Sequence, residues 1–599
     1  MGRLLAAVLV MLSCLAPALG TPAPAQAADR DVLRVASTQS IDSLNPFLAI
    51  FASSTELGRL MYEFLTTYDA RTQRPVPALA ESWTTSADKL TWTFQIRSGA
   101  RWSDGDPITA DDVAFTYNLM LSDPAARTAN GNFVANFESV TALDGRTVVI
   151  RTRVPQATML ALDVPIVPEH IWSTVDDIAA YRNEAMPVVG SGPFVLTEYV
   201  PGQFVRLRAN DTYWRGAPRI DELVFVLFTN TDAAVQALLG GEVDLIGAGS
   251  TGGGLTPAQF EAVAEEPRVT RNRANGQGYF ELAMNPGAAT SEGMPIGDGH
   301  PALRDVPVRQ AIAHALDRDV LVERVLDGYG QPGESIIPPA FADFHWSPPA
   351  GGVDRADANR MLDAAGYPRG PGGVRVGPDG RELRFRLIGN GDRIEHARIV
   401  QFIQGWLAEI GIAVEPALIA GSRLNELTTT GFYDLAVSGW GVNPDPDYVL
   451  SIHTCGQRPG PEGTGGTTAA FFCDPRYDAL YARQLSEFDR DRRARIVEQM
   501  QQLLYEQAPT VVLYYRNALE AYRSDRFAPF QVQPEPGGVI TGQDGYWGFY
   551  SARPLPGTAQ QGPTIGVAVG AGIGGLVVLG AVVAVLVSRH RRATADERE

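Results

Sequence analysis

An α/β protein of more than one lobe, exported and tied to a membrane by one helix near its C-terminal end, is predicted by three observations. Short strand patterns and capped helices succeed one another along most of the chain. The length of 599 residues is about four times that of a typical domain of ~150 residues. An uncharged apolar run stands near each end. Hydrophobic residues at 45% and charged residues at 20% are the balance of a folded globular chain, which sets aside wholesale disorder and a polytopic membrane protein. A net charge of -18 repels phosphate backbones, so no nucleic-acid partner is expected.

The elements follow in order. Residues 1–27 read as a secretory signal: Arg3, an apolar run from Leu4 to Leu19, then Ala25-Gln26-Ala27 as a small-residue cleavage pattern. Period-two alternation marks strands at Leu90–Ile96, Thr147–Arg153, Phe204–Arg208 and Glu222–Phe228. Thr109 with Asp112 three residues later opens a helix as a variant capping box. The second half is richer in helix, with patterns at Val308–Leu316, Arg318–Leu326, Ala356–Ala365, Ile394–Ile410 and Tyr477–Glu506, the last interrupted near Asp489. Gly366 and Gly411 stand where a helix C-cap needs a positive φ. Strands at Leu383–Ile388, Ile412–Leu418, Asp434–Ser438 and Thr510–Tyr515 lie between these helices, an alternation that predicts a largely parallel, helix-covered sheet. Residues 551–564 read as a linker. Ile565–Val587 is 23 residues without a charge, enough for a transmembrane helix. Arg589, Arg591 and Arg592 follow it, which makes 588–599 a cytoplasmic tail and puts the main body outside the cell or in the periplasm.

Several chemistries lack their residues. Lys89 is the only lysine, and its surroundings are not those of a phosphate-binding loop. The seven histidines are scattered without metal-ligand spacing, so neither a metal nor another cofactor is expected, and no constellation suggests an enzyme. Cys455 and Cys473 are the cysteines left after signal removal, and export favours a disulfide between them.

A series of phrases carries a resemblance. Ile41-Asp42-Ser43-Leu44-Asn45-Pro46, Pro77-Ala78-Leu79-Ala80-Glu81-Ser82-Trp83, Trp102-Ser103-Asp104-Gly105, Gly190-Ser191-Gly192-Pro193-Phe194, Val308-Arg309-Gln310-Ala311-Ile312 and Gly439-Trp440-Gly441 stand in order. They resemble family 5 extracellular solute-binding proteins, the peptide/nickel group that serves ABC importers. The resemblance implies a two-lobed periplasmic-binding-protein-like fold that traps a solute between its lobes. The first lobe would span 31–283, with an extra subdomain over roughly 73–189, and be completed by 511–550; the second would span 284–510. It implies a peptide or other small solute as ligand, with an ABC permease and separate ATPase subunits as partners. Nickel chelates and oligosaccharides are ligands of related members, and a membrane-anchored ligand sensor is a further alternative.

The resemblance and the local chemistry of the chain together supply candidate ligand-binding residues. Trp440 would form a flat wall. The position three residues later is often an aspartate that pairs with a peptide's α-amino group; here it is Asn443, with Asp445 and Asp447 as substitutes. Asn390 and Arg393 end a strand and open a helix, which suits a ligand carboxylate. Asn45 and Phe47 would face the cleft from the first lobe.

Overall fold

The structure, a computed structural model, describes residues 31–248, 254–349, 351–391, 393–463, 466–542 and 545–557. The strands of residues 33–555 fall into two large mixed sheets and two small ones. The first large sheet runs Val269–Ala274, Ala518–Arg523, Leu245–Ile246, Val32–Ser37, Glu222–Leu227, Phe204–Ala209, Phe194–Val200. The second runs Gly330–Pro332, Thr510–Arg516, Gly278–Met284, Leu435–Gly441, Arg384–Asn390, Ala413–Ile419. A separate four-stranded antiparallel sheet is formed by Ala80–Thr85, Thr91–Ile96, Thr147–Thr152 and Phe137–Asp144, inside the stretch where an extra subdomain is expected.

Local chemistry accounts for the elements. In Thr91–Ile96 the residues Trp92, Phe94 and Ile96 are buried and alternate with half-buried polar ones, the signature of a sheet with one apolar face. Thr109 and Asp112 close a reciprocal capping box on the helix Ala110–Ser122. The interruption near Asp489 is a second helix start: Asp489 accepts the Arg492 N–H at 2.9 Å and opens Arg490–Gln507.

The sheets are not largely parallel. Among the pairings described, parallel neighbours are Val32–Ser37 with Leu245–Ile246, and Arg384–Asn390 with both Ala413–Ile419 and Leu435–Gly441. A parallel pair needs a long crossover, and the helices Ile394–Glu409 and Gly421–Thr430 provide it for the latter two. Elsewhere tight reversals and returning segments join antiparallel strands, as between Phe194–Val200 and Phe204–Ala209.

The lobes meet at two crossings. Val269–Ala274 belongs to the first sheet and Gly278–Met284 wholly to the second; Thr510–Arg516 belongs to the second and Ala518–Arg523 to the first. The chain therefore crosses at 275–277 and returns at Asn517, several residues away from the expected boundaries at 283 and 511. Apolar periodicity alone does not show this, because each strand continues with the same pattern up to the crossing. A single cluster runs from Leu33 and Leu245 through Trp92 and Phe94 to Phe549, so the four-stranded sheet shares one core with the first large sheet. The second lobe has its own, around Leu282, Leu387, Leu407 and Leu435.

The expected linker also begins later than 551. Ala552 is buried, Ala528 N–H donates to the Arg553 carbonyl at 3.0 Å, and Leu555 N–H to that of Arg526 at 2.8 Å, so this stretch belongs to the folded body. Among the described residues no helix is long and apolar enough to cross a membrane. The expected signal at 1–27, the span 565–587 and the tail 588–599 lie outside the described residues.

Candidate ligand-binding cleft

The two crossings floor a cleft of about 530 Å³ between the large sheets. Ala52, Ala248, Val539 and Thr541 line it from the first lobe, and Asn390, Arg393, Asn425, Trp440 and Asn443 from the second. At the floor the backbones nearly touch: a Cβ on Gly276 would lie 2.1 Å from the Arg516 carbonyl oxygen, so this position accepts only glycine without displacing a crossing. Gly439 has the same role in the wall, where a Cβ would come within 2.6 Å of the Tyr279 carbonyl oxygen.

Trp440 stands at the end of Leu435–Gly441, opposite Tyr279 in an antiparallel register. Its indole Nε1–H donates to Glu281 Oε1 at 2.9 Å. The same oxygen accepts from Ser438 at 2.9 Å, and Thr510 donates to the other. Burial pushes the Glu281 carboxyl above the usual range, against the lowering effect of these three donors. Glu281 thus holds the indole in orientation from behind the wall. Sequence reasoning passed over it; the available signal was one acid within the otherwise apolar Gly278–Met284.

Asn390, Arg393 and His396 supply the cleft's polar edge. Arg393 is the residue before the helix Ile394–Glu409, and its Nη1 lies 3.7 Å from Glu395 Oε1. Arg516, also on the cleft and also missed by sequence reasoning, has its Nη1 at 3.7 Å from the same oxygen. The Asn390 N–H donates to His396 Nδ1 at 3.2 Å. That bond leaves the ring proton on Nε2, and burial pushes His396 down to about 4, so the ring is neutral at neutral pH.

Trp440, Asn443, Asn390 and Arg393 are therefore brought together, whereas the other four candidates are not at the cleft. Asp445 turns inward and binds Arg493 through two contacts, Oδ2 to Nη1 at 2.6 Å and Oδ1 to Nη2 at 2.7 Å. Burial works against the Asp445 carboxylate, but the Arg493 charge outweighs it and lowers the pKa. Asp447 accepts from Gln484 Nε2 at 2.8 Å, and burial together with the Asp445 charge pushes it up to about 6. Asn45 is fully buried and ties loops together, its Nδ2 donating to the Ile178 and Tyr181 carbonyls at 3.0 Å and its Oδ1 accepting from Phe47 N–H. Phe47 is buried edge-on against Trp172 with ring centroids 5.2 Å apart. Cys455 and Cys473 are bridged, which closes a loop beside the segment that carries Asp445 and Asp447.

Comparison with known proteins matches this architecture. The oligopeptide-binding protein AppA of Bacillus subtilis is 27% identical over 478 residues, spanning 78% of this chain and 82% of its own. Heme-binding protein A of Haemophilus influenzae is 26% identical over 499 residues, 79% and 83% of the two chains. The solved structure of AppA in complex with a nonapeptide superposes with a TM-score of 0.70 at 24% identity, covering 88% of this chain and 99% of that one. NikZ of Campylobacter jejuni in complex with Ni(L-His) superposes with a TM-score of 0.72 at 19% identity, covering 87% and 99%. The family model described as bacterial extracellular solute-binding proteins, family 5 (Middle), matches residues 74–460. With two separately cored lobes, two crossings and a cleft between them, the chain belongs to the family 5 bacterial extracellular solute-binding proteins.

Proposed function

We propose that this protein captures oligopeptides between its lobes and delivers them to an ABC permease driven by separate ATPase subunits. The observation that carries the reading is the cleft itself, formed over two chain crossings and lined by both lobes. Closure of two lobes over a bound solute is an established two-state element, and a cleft of this kind with convergent polar groups suits a small extended ligand. The relatives named for oligopeptide binding support peptide as the solute. Trp440 is the wall for the ligand chain, Arg393 and Asn390 face its carboxylate end, and Asn443 lies where its other end would approach.

The test is thermal unfolding of the purified chain after denaturation and refolding to shed carried ligand. A peptide at 100 times its Kd should stabilise the protein by about 2.7 kcal/mol. Trp440→Ala should remove most of that shift. A response to nickel chelates or oligosaccharides and to no peptide would overturn the peptide assignment.

The uncharged run Ile565–Val587, with Arg589 and Arg591 behind it, further supports a receptor held at the membrane surface with its cleft outside. A chain ending near Gln561 should appear in the culture medium; its retention on membranes would refute this tether.

A further inference from the structure

We propose that Phe488 is where the second lobe grips the first outside the crossings, a contact that opening of the cleft must break and that therefore sets how firmly a trapped solute is retained. The inference rests on the two-lobe capture proposed above and gives the four-stranded sheet a part in it. Phe488 stands at the corner between the second-lobe helices Pro475–Ser486 and Arg490–Gln507, yet its ring packs against the core of the first lobe. It stacks on Trp92 of the four-stranded sheet, with ring centroids 5.8 Å apart and planes 27° from parallel. Lys89 Nζ lies 5.1 Å from the centre of the same ring. Ring stacking and a cation over a ring each add attraction to the apolar area they bury. Two residues on, Arg490 Nε donates to Asp343 Oδ2 at 2.8 Å, and the same oxygen accepts from Arg74 Nη2 of the first lobe at 3.2 Å. The helix Pro475–Ser486 also packs beside Ala157–Leu160 of the first lobe.

The corner that presents Phe488 is braced on both sides of the ring. Glu487 accepts from Arg492 Nε and Nη2 at 2.9 Å each, and Asp489 caps the second helix. The corner is also joined to the cleft wall. Arg493 Nε donates to Gln484 Oε1 at 2.8 Å across the two helices, and the same guanidinium grips Asp445, two residues from Asn443 on the cleft. Phe488 and that part of the wall therefore move as one piece. Phe488, Trp92 and Lys89 do not line the cleft themselves. Between residues 33 and 555 the chain passes from one large sheet to the other only at the two crossings. A rotation about the crossings that parts the lobes has to draw Phe488 off Trp92. A contact made only in the closed form raises that form's population and with it the apparent affinity for whatever closes the cleft.

Lys89 is the only lysine of the chain, so its reactivity reports on the contact directly. On the refolded full chain its acetylation by an N-hydroxysuccinimide ester is followed by peptide mass spectrometry, with and without trialanine, whose binding is read in parallel by calorimetry. Arg74→Asp, at an exposed position, sets an acid against Asp343 and should speed Lys89 acetylation about threefold by parting the lobes while the ring itself stays in place. Trialanine should slow the reaction in the parent. Phe488→Ala should weaken trialanine about tenfold, whereas Phe488→Tyr, which keeps the ring, should bind as the parent does. An acetylation rate that Arg74→Asp leaves unchanged overturns the inference, as does measurable trialanine binding that Phe488→Ala leaves at the parent's strength. If trialanine gives no heat with any of the chains, that counts against the peptide reading, and the Arg74→Asp rate alone decides the contact.

Discussion

Arg493→Met puts the inward-turned Asp445 to a quantitative test. The Arg493 guanidinium is nearly all buried, grips Asp445 through two contacts and donates through Nε to Gln484 at 2.8 Å. Removing one partner of such a pair leaves a buried charge uncompensated and costs about 3–5 kcal/mol. For a cooperative unit of roughly 150–250 residues each kcal/mol lowers Tm by about 2–4 °C, so the expected fall is ~6–20 °C. Asp447 adds to the cost, since it already feels the Asp445 charge and would lose the Arg493 counter-charge as well. The sign with pH follows. In the parent the lowered Asp445 pKa contributes stability above the ordinary carboxylate range, which is lost as pH falls through the folded value. In the variant Asp445 becomes a buried acid that prefers its proton, so the deficit against the parent should shrink as pH falls from 7 to 5. Thermal unfolding by circular dichroism at the two pH values measures both effects. A Tm within 2 °C of the parent at pH 7 would refute the buried-pair account, and an unchanged deficit at pH 5 would refute the protonation argument.

Glu56 is fully buried with both carboxylate oxygens lacking a hydrogen-bond partner among the described residues, and burial, aided by the Glu520 charge, pushes it up to about 8. A raised folded pKa means that stability is fully present below about 4.5 and declines as pH rises toward 8, by roughly 4–5 kcal/mol at most. Glu56→Met should therefore raise Tm more at pH 8 than at pH 5; an equal shift at both would contradict the assignment. Replacing Cys455 and Cys473 by serine should cost about 3 kcal/mol in chemical unfolding, from the loop of 18 residues that the bridge closes; free thiols in exported protein by non-reducing mass spectrometry would rule the bridge out. Gly276→Ala should cost about 1–3 kcal/mol by forcing the two crossings apart, and an unchanged unfolding midpoint would show that the crossings yield freely.

Elements set by short-range rules are legible in the chain alone. The capping box at Thr109 and Asp112, the C-caps at Gly366 and Gly411 and the helix restart at Asp489 each depend on residues within four positions of one another, so sequence spacing expresses them fully. The family phrases likewise placed the two-lobed fold and pointed to Trp440 and Asn443, and the strand end before a helix start pointed to Asn390 and Arg393; all four line the cleft. What depended on partners far along the chain was not legible. Asp445 and Asn443 are two positions apart, and only a partner 48 residues away, Arg493, turns the first inward while the second stays on the cleft. Asn45 is taken by carbonyls more than 130 residues away, and Glu281 is placed behind Trp440 by a pairing across 159. Arg516 reaches the cleft because the chain crosses back at Asn517. Local sequence sets backbone conformation through neighbours a few bonds away, whereas the direction and charge of a polar side chain follow from whichever distant group is packed against it.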